Sequence, residues 1–338
     1  STTGGIAASS ATSNPASSYA SAGGSLTINA AATTSGQALY QYVGSLSSYG
    51  PLSVTATGKS DFAWYLYGTG AKALSASDIM VNATQGTWGL VMGDNSLIQS
   101  TGGNVSITSS GSTGGAYINT SGGIVASNYT VNPTTATPTS GGTLTFNATG
   151  QSSYGLQIPN GSLVSNGAMS LTGNAALDAF YIYGTGGIKS NGNITLSGTT
   201  TGASWTTCLA DSRTLQSIGG NIAITSSGPY GIYMIGGSIV AGNDLNTPTN
   251  GGTITINSVS SANDITGAAL RLDNNNTKII SYGDLSIYAN GAAGGLNVAN
   301  QQGHGLILYG SYQQIRSFNG ALSITCLLYT SDAADDLL

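Results

Sequence analysis

Apolar and polar residues alternate along this chain in short bursts, and one burst keeps returning: glycine, any residue, apolar, any residue, apolar. It reads Gly24-Ser25-Leu26-Thr27-Ile28 near the start. It recurs at Gly50 to Val54, Gly103 to Ile107, Gly142 to Phe146, Gly167 to Leu171, Gly192 to Leu196, Gly220 to Ile224, Gly252 to Ile256, Gly283 to Ile287 and Gly320 to Ile324, with a glycine-free copy at Ser77 to Val81. A period of two marks a half-buried strand. Its return about every 25 to 28 residues in most cases marks a solenoid.

Within one period the alternation occurs three times, separated by Gly, Ser, Asn and Asp, residues suited to tight turns. Met169 and Leu171 begin one such period, Phe180 and Ile182 follow, and Ile188 closes it before Ser190-Asn191-Gly192 turns into the next. Closing strands are likewise expected at Leu163-Val164, Leu215, Ile239-Val240, Ile279-Ile280 and Ile315. One winding encloses too few apolar side chains to offset the entropy of fixing its backbone, so windings must stack. The expected fold is all-β: a right-handed parallel β-helix of three short strands per rung and about ten to eleven rungs. Its hand follows from the preference of parallel crossovers.

A longer period overlies the short one. The stretch beginning Gly102-Gly103-Asn104-Val105 matches Gly219-Gly220-Asn221-Ile222 at an offset of 117 residues, which also joins Trp88 to Trp205, Asp94 to Asp211 and Leu46 to Leu163. Residues 1–325 are therefore expected to form a single solenoid with duplicated four-rung blocks at about 23–140 and 141–250 and a partial block at 251–325. Pro/Thr insertions at Asn132-Pro133 to Ser140 and at Asn246 to Asn250, echoed at Asn14-Pro15, are expected to leave one corner as loops.

Composition removes other classes. Glutamate is absent, Lys plus Arg total 7, and 51 glycines accompany abundant Ser, Thr and Asn, so helix is excluded. A disordered Gly/Ser linker has no reason to carry 40% hydrophobic residues in alternation. The formal charge of −5 includes Asp332, Asp335 and Asp336, leaving the body close to neutral, with no basic track for nucleic acid. No apolar run reaches membrane-spanning length and no signal-peptide pattern is present. Cys208 and Cys326 lack the spacing of a metal site or disulfide framework, and no cofactor is expected.

The phrases Ile188-Lys189-Ser190-Asn191-Gly192-Asn193-Ile194-Thr195-Leu196-Ser197-Gly198-Thr199 and Gly219 to Gly228 resemble repeats of large bacterial exoproteins of the filamentous-haemagglutinin and autotransporter-adhesin type. The resemblance covers nearly the whole chain. It implies a secreted β-helical stalk, export across the outer membrane, and a role in attachment or biofilm. Residues 326–338 abandon the pattern and resemble translated sequencing-adapter read-through, so the chain is expected to continue into further repeats of a longer protein.

Inward-facing apolar residues leave two outward columns on the first strand. Thr27, Ser53, Met80, Ser106, Thr145, Ser170, Thr195, Ala223, Thr255, Ser286 and Ser323 form one; a second runs from Asn29 and Thr55 to Tyr288 and Thr325. This hydroxyl and amide face could meet ice or sugars, or be merely an exposed strand surface. On the second strand, Trp64 and Leu66 inward imply Tyr65 and Tyr67 outward. Phe180 and Ile182 imply Tyr181 and Tyr183, joined by Tyr117 and Tyr233, with Tyr40 and Tyr42 beside them. These rings could stack on glycans or a partner protein, or serve only to steady neighbouring rungs.

Asp211 with Arg213 and Arg271 with Asp273 are the nearest approach to an acid–base cluster, expected on or just after second strands of windings separated by one intervening winding and therefore about 10 Å from each other, with charges beside turns solvated. His304, between two glycines, is expected at an exposed turn. Asp78, Asp94, Asp244 and Asp284 are too scattered for calcium repeats. The expectation is a non-enzymatic, secreted or surface-anchored adhesive shaft that meets a host or environmental glycan or protein and does not itself insert into a membrane. A β-helical carbohydrate-active enzyme or tail-spike-like glycan binder is the alternative, and an ice-binding module the third.

Overall fold

The computed structural model describes residues 5–8, 22–128, 140–262, 268–274, 276–291, 296–297 and 304–326. Among them there is no helix, and the named strands pair in parallel within one continuous sheet that winds as a solenoid.

Three ladders make up that sheet. In the first, Leu26, Leu52, Ile79, Val105, Leu144, Met169, Ile194, Ile222, Ile254, Leu285 and Leu322 occupy one register column, each paired with the next. In the second, Leu39, Trp64, Leu90, Ala116, Leu156, Phe180, Thr207, Ile232, Leu270 and Leu306 are aligned. In the third, Leu46, Ala73, Ile98, Ile124, Leu163, Ile188, Leu215, Ile239, Ile279 and Ile315 follow one another. Apart from the terminal windings and Thr207, these residues form one buried apolar column set. A parallel ladder places identical register positions above one another, and for that reason a periodic sequence yields a continuous dry core.

The repeated glycine marks a corner where successive windings nearly touch. A Cβ on Gly220 would lie 2.5 Å from the carbonyl carbon of Gly192, and one on Gly320 would lie 2.5 Å from that of Gly283. A serine that ends the third strand locks this corner. The Ser217 hydroxyl donates to the Gly192 carbonyl at 2.8 Å and accepts the Gly220 N–H at 3.0 Å, and Ser317 does the same with Gly283 and Gly320 at 2.9 and 3.1 Å. The residue before the first strand adds a third tie. Asn193 Oδ1 accepts the Asn221 N–H at 2.8 Å, and Asn221 Oδ1 accepts that of Thr253 at 2.9 Å. Because buried backbone groups must find partners, these side chains complete the ladder where the chain bends.

Not every winding has three short strands. Ile79–Asp94 and Val105–Ala126 run as extended chain through their corners. Within Val105–Ala126 the chain folds closely on itself at one corner, where a Cβ on Gly111 would lie 2.4 Å from the Gly114 carbonyl oxygen. The insertion at Asn246 to Asn250 is a loop held locally by Asp244, whose Oδ1 accepts the N–H groups of Asn246 and Thr247, both at 2.8 Å. The Asn14-Pro15 segment and all but Ser140 of the Asn132 to Ser140 insertion lie outside the described residues.

Candidate binding face on the second strand

Alternation on the second strand sends Trp64 and Leu66 into the core and leaves Tyr65 and Tyr67 half-buried on the outer side. The outward column reads Tyr40, Tyr65, Val91, Tyr117, Gln157, Tyr181, Cys208, Tyr233, Arg271 and Ile307. Tyr40 and Tyr42 thus pair with Tyr65 and Tyr67, and they are the exposed pair, 53% and 57% accessible. The structure places Tyr65, Tyr117, Tyr181 and Tyr233 in this one column, with Tyr67 and Tyr183 two residues further along their strands.

The rings do not form an unbroken, exposed stack. Val91, Gln157 and Cys208 separate them into clusters. Tyr40, Tyr42, Tyr65 and Tyr67 form the first, with centroid separations of 5.3 to 6.2 Å. Trp88 meets Tyr117 edge-on at 5.6 Å, and Tyr181 lies 5.5 Å from Tyr154 and 4.5 Å from Tyr183. Trp205 stacks on Tyr233 at 4.8 Å, and the Tyr233 hydroxyl donates to Asp273 Oδ2 at 2.9 Å. Burial pushes the phenol of Tyr181 up to about 12; burial, and then the Asp273 bond, does the same for Tyr233.

Between Tyr67 and Tyr117 the face is concave. Gly93 follows Tyr67 in the register, and a Cβ there would lie 2.6 Å from Tyr67 Cδ2, so the ring lies down on bare backbone. The result is a groove of about 550 Å³ lined by tyrosines and by Val91, Asp94, Asn119, Ser121, Asn160 and Thr185 among others. One wall is a hydrogen-bonded relay. Asn160 Nδ2 donates to Asn119 Oδ1 at 2.8 Å, while Asn160 Oδ1 accepts the N–H and the hydroxyl of Thr185 at 3.1 and 2.9 Å. On the other side the Asp94 carboxylate, before any other influence, raises the pKa of the Tyr67 phenol and shares a hydrogen bond with it. Asp94 sits in a left-handed turn, φ 52°, a conformation that aspartate and asparagine tolerate.

Three charged or titratable residues, Arg213, His304 and the buried Asp273, depart from the sequence-based expectation. Arg213 is not a solvated turn charge: it is 1% accessible, its Nη2 donates to the Gly161 carbonyl at 2.9 Å, and its Nη1 reaches the Thr185 carbonyl. Burial brings its pKa down to about 10. His304 is not at an exposed turn but opens the strand His304–Tyr309, paired with Ala268 and buried. Arg271 and Asp273 form an ion pair with each other at 2.7 Å, and Asp211 accepts the Gly184 N–H at 3.1 Å. These charges brace the wall of the solenoid.

Sequence reasoning did not find the groove's polar wall, nor Asp178. That carboxyl is buried, accepts a hydrogen bond from the Ser204 hydroxyl, and has its pKa raised to about 6 by desolvation. Among the described residues no group of three or more His, Cys, Asp or Glu side chains is placed to hold a metal ion. The chain matches no protein family model, and comparison with curated proteins and with solved structures gives no significant match.

Proposed function

We propose that this chain is the adhesive shaft of a large secreted or cell-surface bacterial exoprotein, associated with the outer membrane and acting in attachment or biofilm. The resemblance of its repeats to filamentous-haemagglutinin and autotransporter adhesins supports that reading, as does one observation above others. A single in-register solenoid carries outward aromatic clusters at successive heights along its second ladder. In this reading the coil is right-handed, has about ten to eleven rungs, and was built by duplicating a four-rung block.

A stiff body bearing several weak contacts gains affinity through linkage, because each further contact is made at high effective concentration. The chain does no chemistry in this reading and meets a surface glycan or protein through the Tyr face. The test is adhesion of beads coated with the chain to cells and to immobilised glycans, with free chain as competitor. Attachment that free chain weakly inhibits, without release of sugar fragments, is the expected result. Depolymerisation of a polysaccharide, or no attachment to any surface, contradicts it. The glycan-binding, tail-spike-like reading draws on the concave site between Tyr67 and Tyr117.

A further inference from the structure

The groove between Tyr67 and Tyr117 has features that a flat stack of rings lacks. Its volume of about 550 Å³ falls within the range of small-ligand sites, roughly 300–1,000 Å³. Aromatic surface from Tyr65, Tyr67 and Tyr117 meets a polar wall of Asn119, Ser121, Asn160 and Thr185. That wall is ordered in advance by the Asn160 bonds to Asn119 and Thr185, so a ligand need not freeze these amides on arrival.

Asp94 carries the one carboxyl group among the described residues lining the groove. A carboxylate has acceptor capacity for about four hydrogen bonds, so bonding to the Tyr67 hydroxyl leaves room for donors from a ligand. Such a ligand offers hydroxyl donors and apolar C–H faces and bears no negative charge, since like charges at close range repel. These are the surfaces of an uncharged pyranose. A peptide strand would be held through backbone bonding to a sheet edge, whereas the backbone at this height is already paired between Tyr65, Val91 and Tyr117.

Resting on the attachment reading above, we propose that the groove lined by Tyr65, Tyr67, Asp94, Tyr117, Asn119 and Asn160 is a binding site for neutral saccharides. A ring of the glycan lies against the tyrosines, its hydroxyls bond to Asp94 and the amide wall, and acidic sugars are turned away.

The test uses the full chain, with neutral oligosaccharides of glucose, galactose and mannose and acidic ones carrying sialic or galacturonic acid as probes. Saturation-transfer NMR and calorimetric titration read binding. At least one neutral probe is expected to bind, with acidic probes at least tenfold weaker. Tyr67→Ser and Tyr117→Ser should each weaken the neutral probe at least tenfold, and Tyr181→Ser should leave it within twofold. Asp94→Asn keeps a residue that accepts the left-handed turn, and it should narrow the neutral-over-acidic preference severalfold without lowering the melting temperature. Tyr117→Phe, which keeps the ring, guards against a variant that merely misfolds and should lose less than Tyr117→Ser.

Absence of binding by every neutral probe, or equal binding by the groove variants and wild type, overturns the site. So does binding that Tyr181→Ser removes and Tyr67→Ser spares. In each of those cases bead attachment can persist, and the shaft reading stands. Conversely, saccharide binding lost in the groove variants, together with beads that attach to nothing, upholds the site and sinks the shaft.

Discussion

The turns at Asp94 and Asp211 lie 117 residues apart and each begin with a left-handed residue, φ 52° and 56°, although Ser212 continues left-handed at φ 62° and Asn95 does not, and their surroundings differ at almost every side chain. Around Asp94 stand Gly93, Tyr117 and Asn119, with buried Ser96 two residues on, and the face opens into a groove. Around Asp211 the corresponding residues are Ala210, Arg213, Tyr233 and Ile235. There Asp211 is engaged by the Gly184 N–H, Arg213 is threaded beneath the wall, and Trp205 lies flat on Tyr233. Edge-on Trp88 leaves Tyr117 partly uncovered, whereas stacked Trp205 and the Arg271 guanidinium, 5.3 Å from the ring centre, cover Tyr233. The lesson is that the winding is set by backbone and corner residues. Whether a given height binds anything is set by a few outward side chains free to vary on the same scaffold.

The contrast is sharpest at the position occupied by Ser96 in one region and Arg213 in the other. Arg213→Ala removes the donors to two carbonyls and empties a large buried volume, and should cost about 4 kcal/mol. Ser96→Ala deletes a buried hydroxyl that has no partner and should change stability by less than about 0.5 kcal/mol. Denaturant melts of both variants read the difference; equal effects would break the comparison.

Next comes Asp178, whose counterpart Asp61 is only partly buried. Because the folded-state pKa is raised to about 6 from 3.8, folding favours the protonated carboxyl. Its contribution is full below about pH 3.8 and is lost as pH rises through 6. The swing is roughly 3 kcal/mol. Asp178→Asn should therefore stabilise the chain at pH 7.5, and the gain should vanish by pH 4, as followed by thermal melts across that range. A constant offset at all pH values would remove the titration from the account.

A smaller effect is expected at Thr207, which faces the core where the first region has Leu90, with its hydroxyl buried and unpaired. Thr207→Val should raise stability by about 1 kcal/mol. Smallest of all, Asp94→Asn and Asp211→Asn should both stay within about 0.5 kcal/mol of wild type, since either residue accepts a left-handed φ. A loss at one turn alone would mean that the carboxylate, and not the backbone, holds it.

How far the molecule could be read from its sequence follows from the range of the forces involved. Inward and outward positions on strands such as Leu52–Thr57 and Met169–Ala175 were legible because alternation is local. The corner glycines were legible as a period, although their cause, main chain of the winding below 2.5 Å from where a Gly220 Cβ would sit, is a contact between windings. Arg213 and His304 misled because a charge or an imidazole beside glycine ordinarily faces water. Their burial depends on partners such as Gly161, 52 residues before Arg213, and Ala268 on the winding below His304. The tyrosines of the candidate site were visible as outward positions. Its groove was not, since it arises from a missing side chain at Gly93 and from Asn119, Asn160 and Thr185, contributed by three different windings.

Distances between spin labels on the outward column of the first ladder test the account most directly. In a chain carrying Cys208→Ala and Cys326→Ser, labels at Thr27→Cys and Thr255→Cys are separated by eight register steps and should lie about 38 Å apart at the spacing of a β-ladder. Labels at Ser106→Cys and Thr255→Cys should be separated by five-eighths of that distance. Separations that fail to grow in proportion to the register steps would contradict a single stacked solenoid and the binding face built on it.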